Sequence, residues 1–353
     1  MLSAGKMRGL MRIADDEGRF RMMAIDQRGS LKRMLAGTLN REVEYKDIAF
    51  VKRSIVKVLA PYSSATLIDP VYGYPWAIKY FPKDVGLLIT SEETGADKGG
   101  YKDRELKTRL TEGWDISKTR RLGADAVKLL VYYRGDGSED VVAHQEKLVK
   151  DVGEECVKHD IPFILELVSY PFKDDEEKDS LTFARRKPDI VFDYVEEFSR
   201  EEYKVDVLKV EFPANLKYCK EFAGGTFDGK KREHAYDLSE VKDFCKNITR
   251  LSRVPWVILS AGVDIDEFLE NVRLATENGS SGFLGGRAIW KDCVKYYPDI
   301  EKVEQFLFTK GIDNFNRLYE ASTNATPFFE AGYFTGYPEM ELDKLGDNWY
   351  KNY

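Results

Sequence analysis

Histidine and cysteine are scarce in this chain of 353 residues, which contains three histidines and four cysteines. His144, His159 and His234 lie far apart and outside the apolar runs, so we expect them on helices or at the surface. No histidine–carboxylate cluster with metal-ligand spacing is present, and the cysteines form no CxxC pair. A catalytic thiol is equally disfavoured, because no cysteine has a paired histidine. We therefore expect a protein that needs no metal and no organic cofactor.

A charge excess and a long apolar segment are also missing. Lys and Arg number 54 against 61 Asp and Glu, a net charge of −7 that is well mixed along the chain, which argues against nucleic-acid binding. No run of 18 apolar residues is present, so we expect no membrane span. The first twenty residues lack the apolar core of a secretory signal, and scattered cysteines suit a reducing compartment. We expect a cytoplasmic protein.

Short apolar runs recur along the chain at intervals that leave room for a helix between them. Runs that are apolar on both faces are typical of parallel strands covered by helices. The eight candidate strands are Met22–Ile25, Ala65–Ile68, Gly86–Ile89, Ala126–Tyr132, Pro162–Val168, Val207–Phe212, Trp256–Leu259 and Gly282–Leu284.

The segments between these runs have helical periodicity. The clearest are Tyr45–Leu59, Glu139–His159 and Asp264–Asn278, which carry apolar residues at three- and four-residue spacing. Strand–helix alternation repeated eight times favours a closed (β/α)8 TIM barrel over a doubly wound sheet. The doubly wound alternative is weakened further because no dinucleotide-binding glycine motif follows the first strand.

Two segments do not follow this alternation. Pro171–Pro188 is highly charged and is expected to be a long surface loop near the mouth of the site. Residues 323–353 are rich in Gly, Pro, Tyr and Phe and suggest a C-terminal extension. We therefore expect one domain, with a barrel over residues 1–322 and an extension over residues 323–353. Both the charged loop and the extension could shape the distal end of the pocket.

Several ionisable residues occupy strands that should be buried, where an unpaired charge is expensive. Asp69 precedes a proline and is more typical of a turn. In a barrel, inward positions near the carboxyl ends of strands form the floor of the active site. The other residues of this kind are Asp26, Arg28, Lys128, Glu166, Lys209 and Glu211.

Two of these residues are lysines on nearby strands. Burial and a neighbouring positive charge both lower the pKa of a lysine, and the neutral amine can attack a ketone to form a Schiff base. Lys209 and Lys128 suit the roles of nucleophile and tuning charge, and Glu166 on the strand between them suits proton transfer. The alternative is that these residues, with Glu211, form a purely structural layer of ion pairs. Charge placement alone leaves both interpretations open.

Small residues end the seventh and eighth strands, in the sequences Leu259-Ser-Ala-Gly262 and Leu284-Gly-Gly-Arg287. Barrel enzymes commonly bind phosphate at the loops after these two strands, where small residues let backbone N–H groups approach an anion. Ser260 adds a hydroxyl group and Arg287 a guanidinium group that suits phosphate oxygens. The sequence therefore predicts a phosphate site at these two strand ends.

The longer motifs around these residues resemble a known family. The similarity covers roughly residues 19–319 and is to the class I tagatose 1,6-bisphosphate aldolases of the lactose-pathway type. The related sulfofructose-phosphate aldolases, which share the same lysine strand and barrel, form a close second match. The motifs, in chain order, are AIDQRGSLK, LIDPVYG, GADAVKLLVYY, IPFILELVSY, VDVLKVEFPAN, LSAGV and LGGRAIW.

The resemblance implies a role for each matching residue. Lys209 would be the Schiff-base lysine, Glu166 the general acid/base and Lys128 the supporting cation. Substrate contacts from the first strand would be Asp26, Gln27 and Arg28, and the phosphate-binding residues would be Ser260, Gly262, Gly286 and Arg287.

The expected function is reversible cleavage of a ketose bisphosphate, above all tagatose 1,6-bisphosphate, to dihydroxyacetone phosphate and glyceraldehyde 3-phosphate. The expected partner is therefore a small phosphorylated sugar, and a homo-oligomer is implied by the resemblance alone. The alternatives are a sulfofructose-phosphate aldolase, a metal-free sugar-phosphate isomerase or epimerase, and a non-catalytic sugar-phosphate sensor.

Overall fold

Eight parallel strands close into a barrel in the computed structural model, which describes residues 2–334, 336 and 346–351. Each strand pairs with the one before it in the chain, and the last pairs with the first. The predicted (β/α)8 barrel is confirmed, and the doubly wound alternative is wrong. The strands are β1 (Phe20–Ile25), β2 (Ala65–Ile68), β3 (Gly86–Thr90), β4 (Ala126–Tyr132), β5 (Phe163–Val168), β6 (Val207–Val210), β7 (Trp256–Leu259) and β8 (Gly282–Gly285).

Helices cover the outside of the barrel, and the three that the sequence predicts are present as α3, α6 and α9. Asp264 stands at the start of α9, but its side chain contacts Lys291 instead of the helix N–H groups. The helices are α1 (Ala4–Ile13), α2 (Gly29–Ala36), α3 (Tyr45–Leu59), α4 (Gly73–Ala77), α5 (Ile116–Arg121), α6 (Glu139–Lys158), α7 (Leu181–Phe198), α8 (Leu238–Leu251), α9 (Ile265–Thr276), α10 (Arg287–Trp290), α11 (Ile300–Phe306) and α12 (Ile312–Ala321).

The segment Pro171–Pro188 is only partly a loop, so this prediction is wrong for its second half. Helix α7 begins at Leu181, where the Ser180 hydroxyl accepts a hydrogen bond from the Phe183 N–H at 3.1 Å, and Pro188 lies inside the helix. The charged residues on the exposed face of this helix mask its buried apolar stripe in the sequence.

Side chains of the strands alternate between the barrel interior and the helix layer. Val207 of β6 packs with other inward residues such as Ile164 and Val257, whereas Leu208 and Val210 pack with the helices. This alternation places Lys209 on the inward face, as the sequence predicts.

The amino-terminal end of the barrel is closed by two segments from opposite ends of the chain. Helix α1 lies across it, with the Lys6 ammonium 2.8 Å from the Asp206 carboxylate. Residues 323–334 lie at the same end, where the Phe328 N–H donates to the Gly18 carbonyl at 2.8 Å and its ring stacks on Phe20 at 5.7 Å. The expectation that the extension shapes the pocket is therefore wrong for residues 323–334. Residues 335, 337–345 and 352–353 of the predicted extension lie outside the described residues.

The helices in the described ranges include none with the length and the apolar composition that crossing a bilayer requires.

Replacing Phe328 with Ala tests the closure of this end. The ring is 1% exposed, so its removal should lower the free energy of unfolding by roughly 3 kcal/mol, measured by urea denaturation. The kcat should not change, because the site lies at the other end of the barrel. The control is Tyr333→Ala, whose side chain is 55% exposed and whose loss should cost little. A large fall in kcat in Phe328→Ala would contradict this account.

Candidate functional site

A cavity of about 480 Å³ opens at the carboxyl ends of the strands, where barrel enzymes hold their active sites. Lys128 lies beneath its floor and is fully buried, and Gly262 lines a smaller neighbouring cavity of about 250 Å³. The other predicted site residues all line the main cavity. They are Asp26, Gln27, Arg28, Glu166, Lys209, Ser260, Gly286 and Arg287.

Lys209 and Glu166 form the centre of the floor. They are directly paired across strands β5 and β6, so both side chains point into the barrel at the same height. The Lys209 Nζ lies 2.9 Å from the Glu166 Oε2, and the two side chains are 3% and 9% exposed. A lysine amine and a carboxylate at this distance can exchange a proton directly.

Lys128 on β4 is surrounded by three carboxylates. Its Nζ lies 2.6 Å from Glu166 Oε2, 2.7 Å from Glu92 Oε1 and 2.8 Å from Asp26 Oδ2. Burial opposes the charge of this ammonium, but the three carboxylates outweigh burial and raise the pKa of Lys128 well above its ordinary value. These surroundings therefore favour the charged form of Lys128.

The pKa values of the acids next to Lys128 depend on the same neighbouring charges. Burial by itself would raise the pKa of Asp26 and Glu166, but Lys128 and Lys209 overcome this effect and hold both carboxyl groups below their usual pKa range. Both are therefore ionised at neutral pH. A structural ion-pair layer does exist at this level, and its members Asp26, Glu92, Glu166 and Lys209 line the cavity.

Glu211 and Asp69 do not belong to this network. Glu211 accepts a hydrogen bond from the Ser169 N–H at 2.7 Å and lies 3.7 Å from the Lys187 ammonium. Asp69 accepts from the Tyr72 N–H at 2.7 Å, as expected for a turn residue, and pairs with the buried Lys52.

The two glycine-containing strand ends lie side by side. The Gly286 N–H donates to the Ser260 hydroxyl at 3.4 Å. Gly262 has a φ of +82°, and a Cβ at this position would lie 3.0 Å from the Arg287 guanidinium carbon. In the described ranges the Arg287 guanidinium makes no hydrogen bond or ion pair, so it is available to an anion. Ser260, Gly286 and Arg287 face one space, with Gly262 behind them.

The residues that follow β1 are held in different ways. The Arg28 guanidinium donates to the Glu92 carbonyl and to the Thr111 hydroxyl, which fixes the loop after β3. The Gln27 side chain lies against Gly286, where a Cβ would approach its amide nitrogen to 2.8 Å. Arg28 therefore supports the cavity wall, and position 286 accommodates only glycine without a shift.

Sequence reasoning missed several residues that line the cavity. Glu92 lies two residues beyond the end of β3 at Thr90 and lines the cavity, whereas the predicted strand ends at Ile89. Tyr132 also lines the cavity, and burial together with the Glu166 charge raises its pKa. Arg33 and Lys178 come from α2 and the loop after β5, where no sequence pattern distinguishes a cavity residue from an ordinary surface cation.

The cysteines and histidines, which are few in this chain, do not line this cavity. The four cysteines (Cys156, Cys219, Cys245 and Cys293) are buried free thiols. His144 lies on α6 with its Nε2 2.8 Å from the Thr108 carbonyl oxygen. Within the described ranges, no group of three or more His, Cys, Asp or Glu side chains has the arrangement of a metal site.

Replacing Lys128 with Met tests the charge balance. It leaves buried carboxylates unpaired and should lower the free energy of unfolding by about 4 kcal/mol at neutral pH. The wild-type acids have lowered pKa values, so their stabilisation is present above about pH 4 and is lost only below it. In the variant their pKa values should be raised, so stability should increase from about pH 7 to about pH 5.

The measurement is chemical denaturation at both pH values. Lys147→Met removes a 74% exposed lysine of a surface ion pair and should cost less than about 1 kcal/mol at either pH. A Lys128→Met variant as stable as the wild type, or one whose stability does not change with pH, would refute the assignment.

Comparison with known proteins identifies the family. Residues 20–292 match the model of the DeoC/LacD family aldolases. The chain is 38% identical to tagatose 1,6-diphosphate aldolase 2 of Enterococcus faecalis over 90% of this chain and 94% of that protein. It is 36% identical to tagatose 1,6-diphosphate aldolase 1 of Streptococcus mutans over 92% and 98%.

A solved structure shares the fold. It is an archaeal fructose-1,6-bisphosphate aldolase whose catalytic lysine is covalently bound to the carbinolamine intermediate of its substrate. The two chains superpose with a TM-score of 0.52 at 17% identity over 85% of this chain and 96% of that one. By its match to the family model and to the two curated relatives, the chain belongs to the DeoC/LacD family of aldolases and is a lyase.

Proposed function

We propose that this aldolase cleaves tagatose 1,6-bisphosphate reversibly, through a Schiff base between Lys209 and the C2 ketone of the sugar. The products are dihydroxyacetone phosphate and glyceraldehyde 3-phosphate. The observation that carries this proposal is the buried pair at the cavity floor, in which the Lys209 Nζ lies 2.9 Å from the Glu166 carboxylate. The two curated relatives named above are tagatose 1,6-diphosphate aldolases, which supports this substrate.

The reaction begins with a proton transfer. Lys209 passes a proton to Glu166, which yields a neutral amine and a carboxylic acid next to each other. The amine attacks C2, and the extra proton on its nitrogen moves to the former carbonyl oxygen, which gives the neutral carbinolamine. Glu166 gives its proton to the carbinolamine hydroxyl, which leaves as water, and a cationic iminium remains on Lys209.

The iminium then acts as the electron sink. Glu166, a carboxylate again, takes the proton from the C4 hydroxyl, the C3–C4 bond breaks, and its electron pair forms an enamine. The aldehyde leaves, Glu166 returns the proton to C3 of the enamine, and water hydrolyses the resulting iminium to dihydroxyacetone phosphate. Lys128 stays charged throughout and stabilises the carboxylate states of Glu166.

The C1 phosphate is placed at the strand ends of β7 and β8. The Arg287 guanidinium, the Ser260 hydroxyl and the Gly286 backbone supply the donors, and Gly262 leaves space for Arg287. Asp26, Gln27 and Arg28 of the predicted site contact the sugar from the β1 side of the cavity.

Two further cations at the rim of the main cavity are available to bind a second phosphate. Arg33 lines the cavity and, among the described residues, makes no ion pair or hydrogen bond through its side chain. Its Nη1 and the Thr94 hydroxyl each lie 3.6 Å from the point that a Cβ on Gly29 would occupy, so both groups flank the backbone of Gly29. Lys178, after β5, is a further rim cation without a partner in the described ranges. These free cations favour a bisphosphate over a monophosphate.

We also propose a cytoplasmic location and a homo-oligomeric state. Free buried cysteines suit a reducing compartment, where phosphorylated sugars are metabolised. Exposed aromatic side chains, which are enriched at subunit interfaces, support an oligomer, and examples are Tyr62, Tyr296 and Phe308.

Lys209→Met tests the nucleophile. The variant should fold but lose at least about 10⁴-fold in kcat, because the covalent step has no substitute. Wild-type protein treated with sodium borohydride and dihydroxyacetone phosphate should carry a reduced adduct on Lys209 in peptide mass maps, and the variant should carry none. Lys147→Met, on the surface of α6, should form the adduct normally. Retained turnover in Lys209→Met rules out the Schiff base on this lysine, and a missing wild-type adduct favours an isomerase or epimerase.

Arg33→Met tests the second phosphate. We expect kcat/KM for the ketose 1,6-bisphosphate to fall about 10- to 100-fold, as loss of one charged hydrogen-bonding group implies, with kcat/KM for the 1-phosphate almost unchanged. Lys32→Met, on the same helix and outside the cavity lining, is the control. Equal losses for both substrates would contradict this placement. The same panel includes sulfofructose 1-phosphate, whose preference over the bisphosphate would identify the sulfosugar alternative.

A further inference from the structure

Lys128 has three acidic neighbours that come from three different strand ends. Asp26 follows β1, Glu92 follows β3 and Glu166 lies on β5. The ammonium group donates hydrogen bonds to Asp26 and Glu92 and lies in ion-pair contact with Glu166. The proposed reaction uses Glu166, and the resemblance implies a role for Asp26. It gives no role to Glu92, although the Glu92 carboxylate lies 2.7 Å from the ammonium.

Glu92 is held more firmly than a reacting group needs to be. Its Oε1 contacts Lys128, and its Oε2 accepts from the Leu130 N–H at 3.0 Å. Its own carbonyl accepts from the Thr111 hydroxyl at 2.9 Å and from the Arg28 guanidinium. A carboxylate whose two oxygens and backbone are all bonded is suited to a fixed charge and not to proton transfer.

Of the three acids, Glu166 is the one that also contacts Lys209, among the residues that the structure describes. The same oxygen, Oε2, faces both ammonium groups. Each time Glu166 takes a proton in the proposed reaction, Lys128 loses one of its three counter-charges. Lys128 is 0% exposed, so water cannot replace that charge.

We propose that Glu92 is a positioning residue that holds Lys128 as a cation independently of Glu166, so that Glu166 is free to take up and return protons. This inference rests on the proposed Schiff-base function and assigns a residue to it. With Glu92 and Asp26 in place, Lys128 keeps two counter-charges while Glu166 is protonated.

The electrostatic consequence follows from the charge count. Counted by formal charge, the three acids exceed the two lysines that contact them by one negative charge. Without the Glu92 carboxylate charge, Lys128 and Lys209 bind Glu166 more strongly as a carboxylate, so its protonation becomes harder at a given pH. The charged and titratable groups that face Glu92 and Glu166 are Asp26, Arg28, Glu93, Lys128, Tyr132, Lys209 and Arg287.

Glu92→Gln tests the inference, because it keeps the shape of the side chain and removes its charge. We expect kcat near neutral pH to fall about 10- to 100-fold and the alkaline limb of the kcat–pH profile to move about one unit toward acid. Adduct formation with borohydride should fall in the same way and recover at lower pH. Glu92→Asp, which keeps the charge, should retain the wild-type position of the alkaline limb.

The control is Asp206→Asn. Asp206 is a buried carboxylate that pairs with Lys6 at the closed end of the barrel, so its loss should lower stability without moving the pH profile. A Glu92→Gln profile that lies at the wild-type position, or that is lowered equally at every pH, would overturn the inference. Lys209→Met separates this failure from that of the proposed function, because an active Lys209→Met variant contradicts the Schiff base itself.

Discussion

The buried contact between the Lys128 ammonium and its three carboxylates is the interaction on which the rest of the site depends. It joins the ends of β1, β3, β4 and β5 at one point, 2.6–2.8 Å from nitrogen to each oxygen. No single strand could supply it, because the partners lie far apart in sequence. Only a closed barrel brings them to one level, and the same closure places Lys209 against the shared acid.

The network explains how one site contains both a structural layer and a reactive pair. Lys128 is its fully buried centre, and both oxygens of the Glu92 carboxylate are bonded beside it. Glu166 lies at the boundary, since its carboxylate touches both the fixed ammonium and the lysine that faces the cavity. The structural and the catalytic interpretations of the charged strand residues are therefore compatible. The structural ion-pair layer provides the charges that the reactive pair of Lys209 and Glu166 needs.

Much of this arrangement could be predicted from the sequence. Both-face apolar runs locate all eight strands, and strand periodicity puts Lys209 inside the barrel. The failures have physical causes. Surface charges hide the buried stripe of α7, and the position of the chain's end in space depends on long-range packing that no local pattern encodes. Arg33 and Lys178 are likewise indistinguishable in the sequence from other surface cations, because only the folded structure places them at the cavity. Glu92 lies three residues beyond Ile89, where the predicted third strand ends, so the strand pattern did not include it.

The seal at the amino-terminal end of the barrel sets a condition on how the protein is made. Phe20 is among the first barrel residues to leave the ribosome, and Phe328, which stacks on it, is separated from it by almost the whole barrel. The nascent chain therefore lacks the Phe328 cover over Phe20 for most of translation. Exposed apolar surface of that kind is prone to aggregation and is recognised by chaperones. Ribosome stalling or truncation before residue 328 leaves a barrel that is complete in its strands but covered at its base by α1 alone.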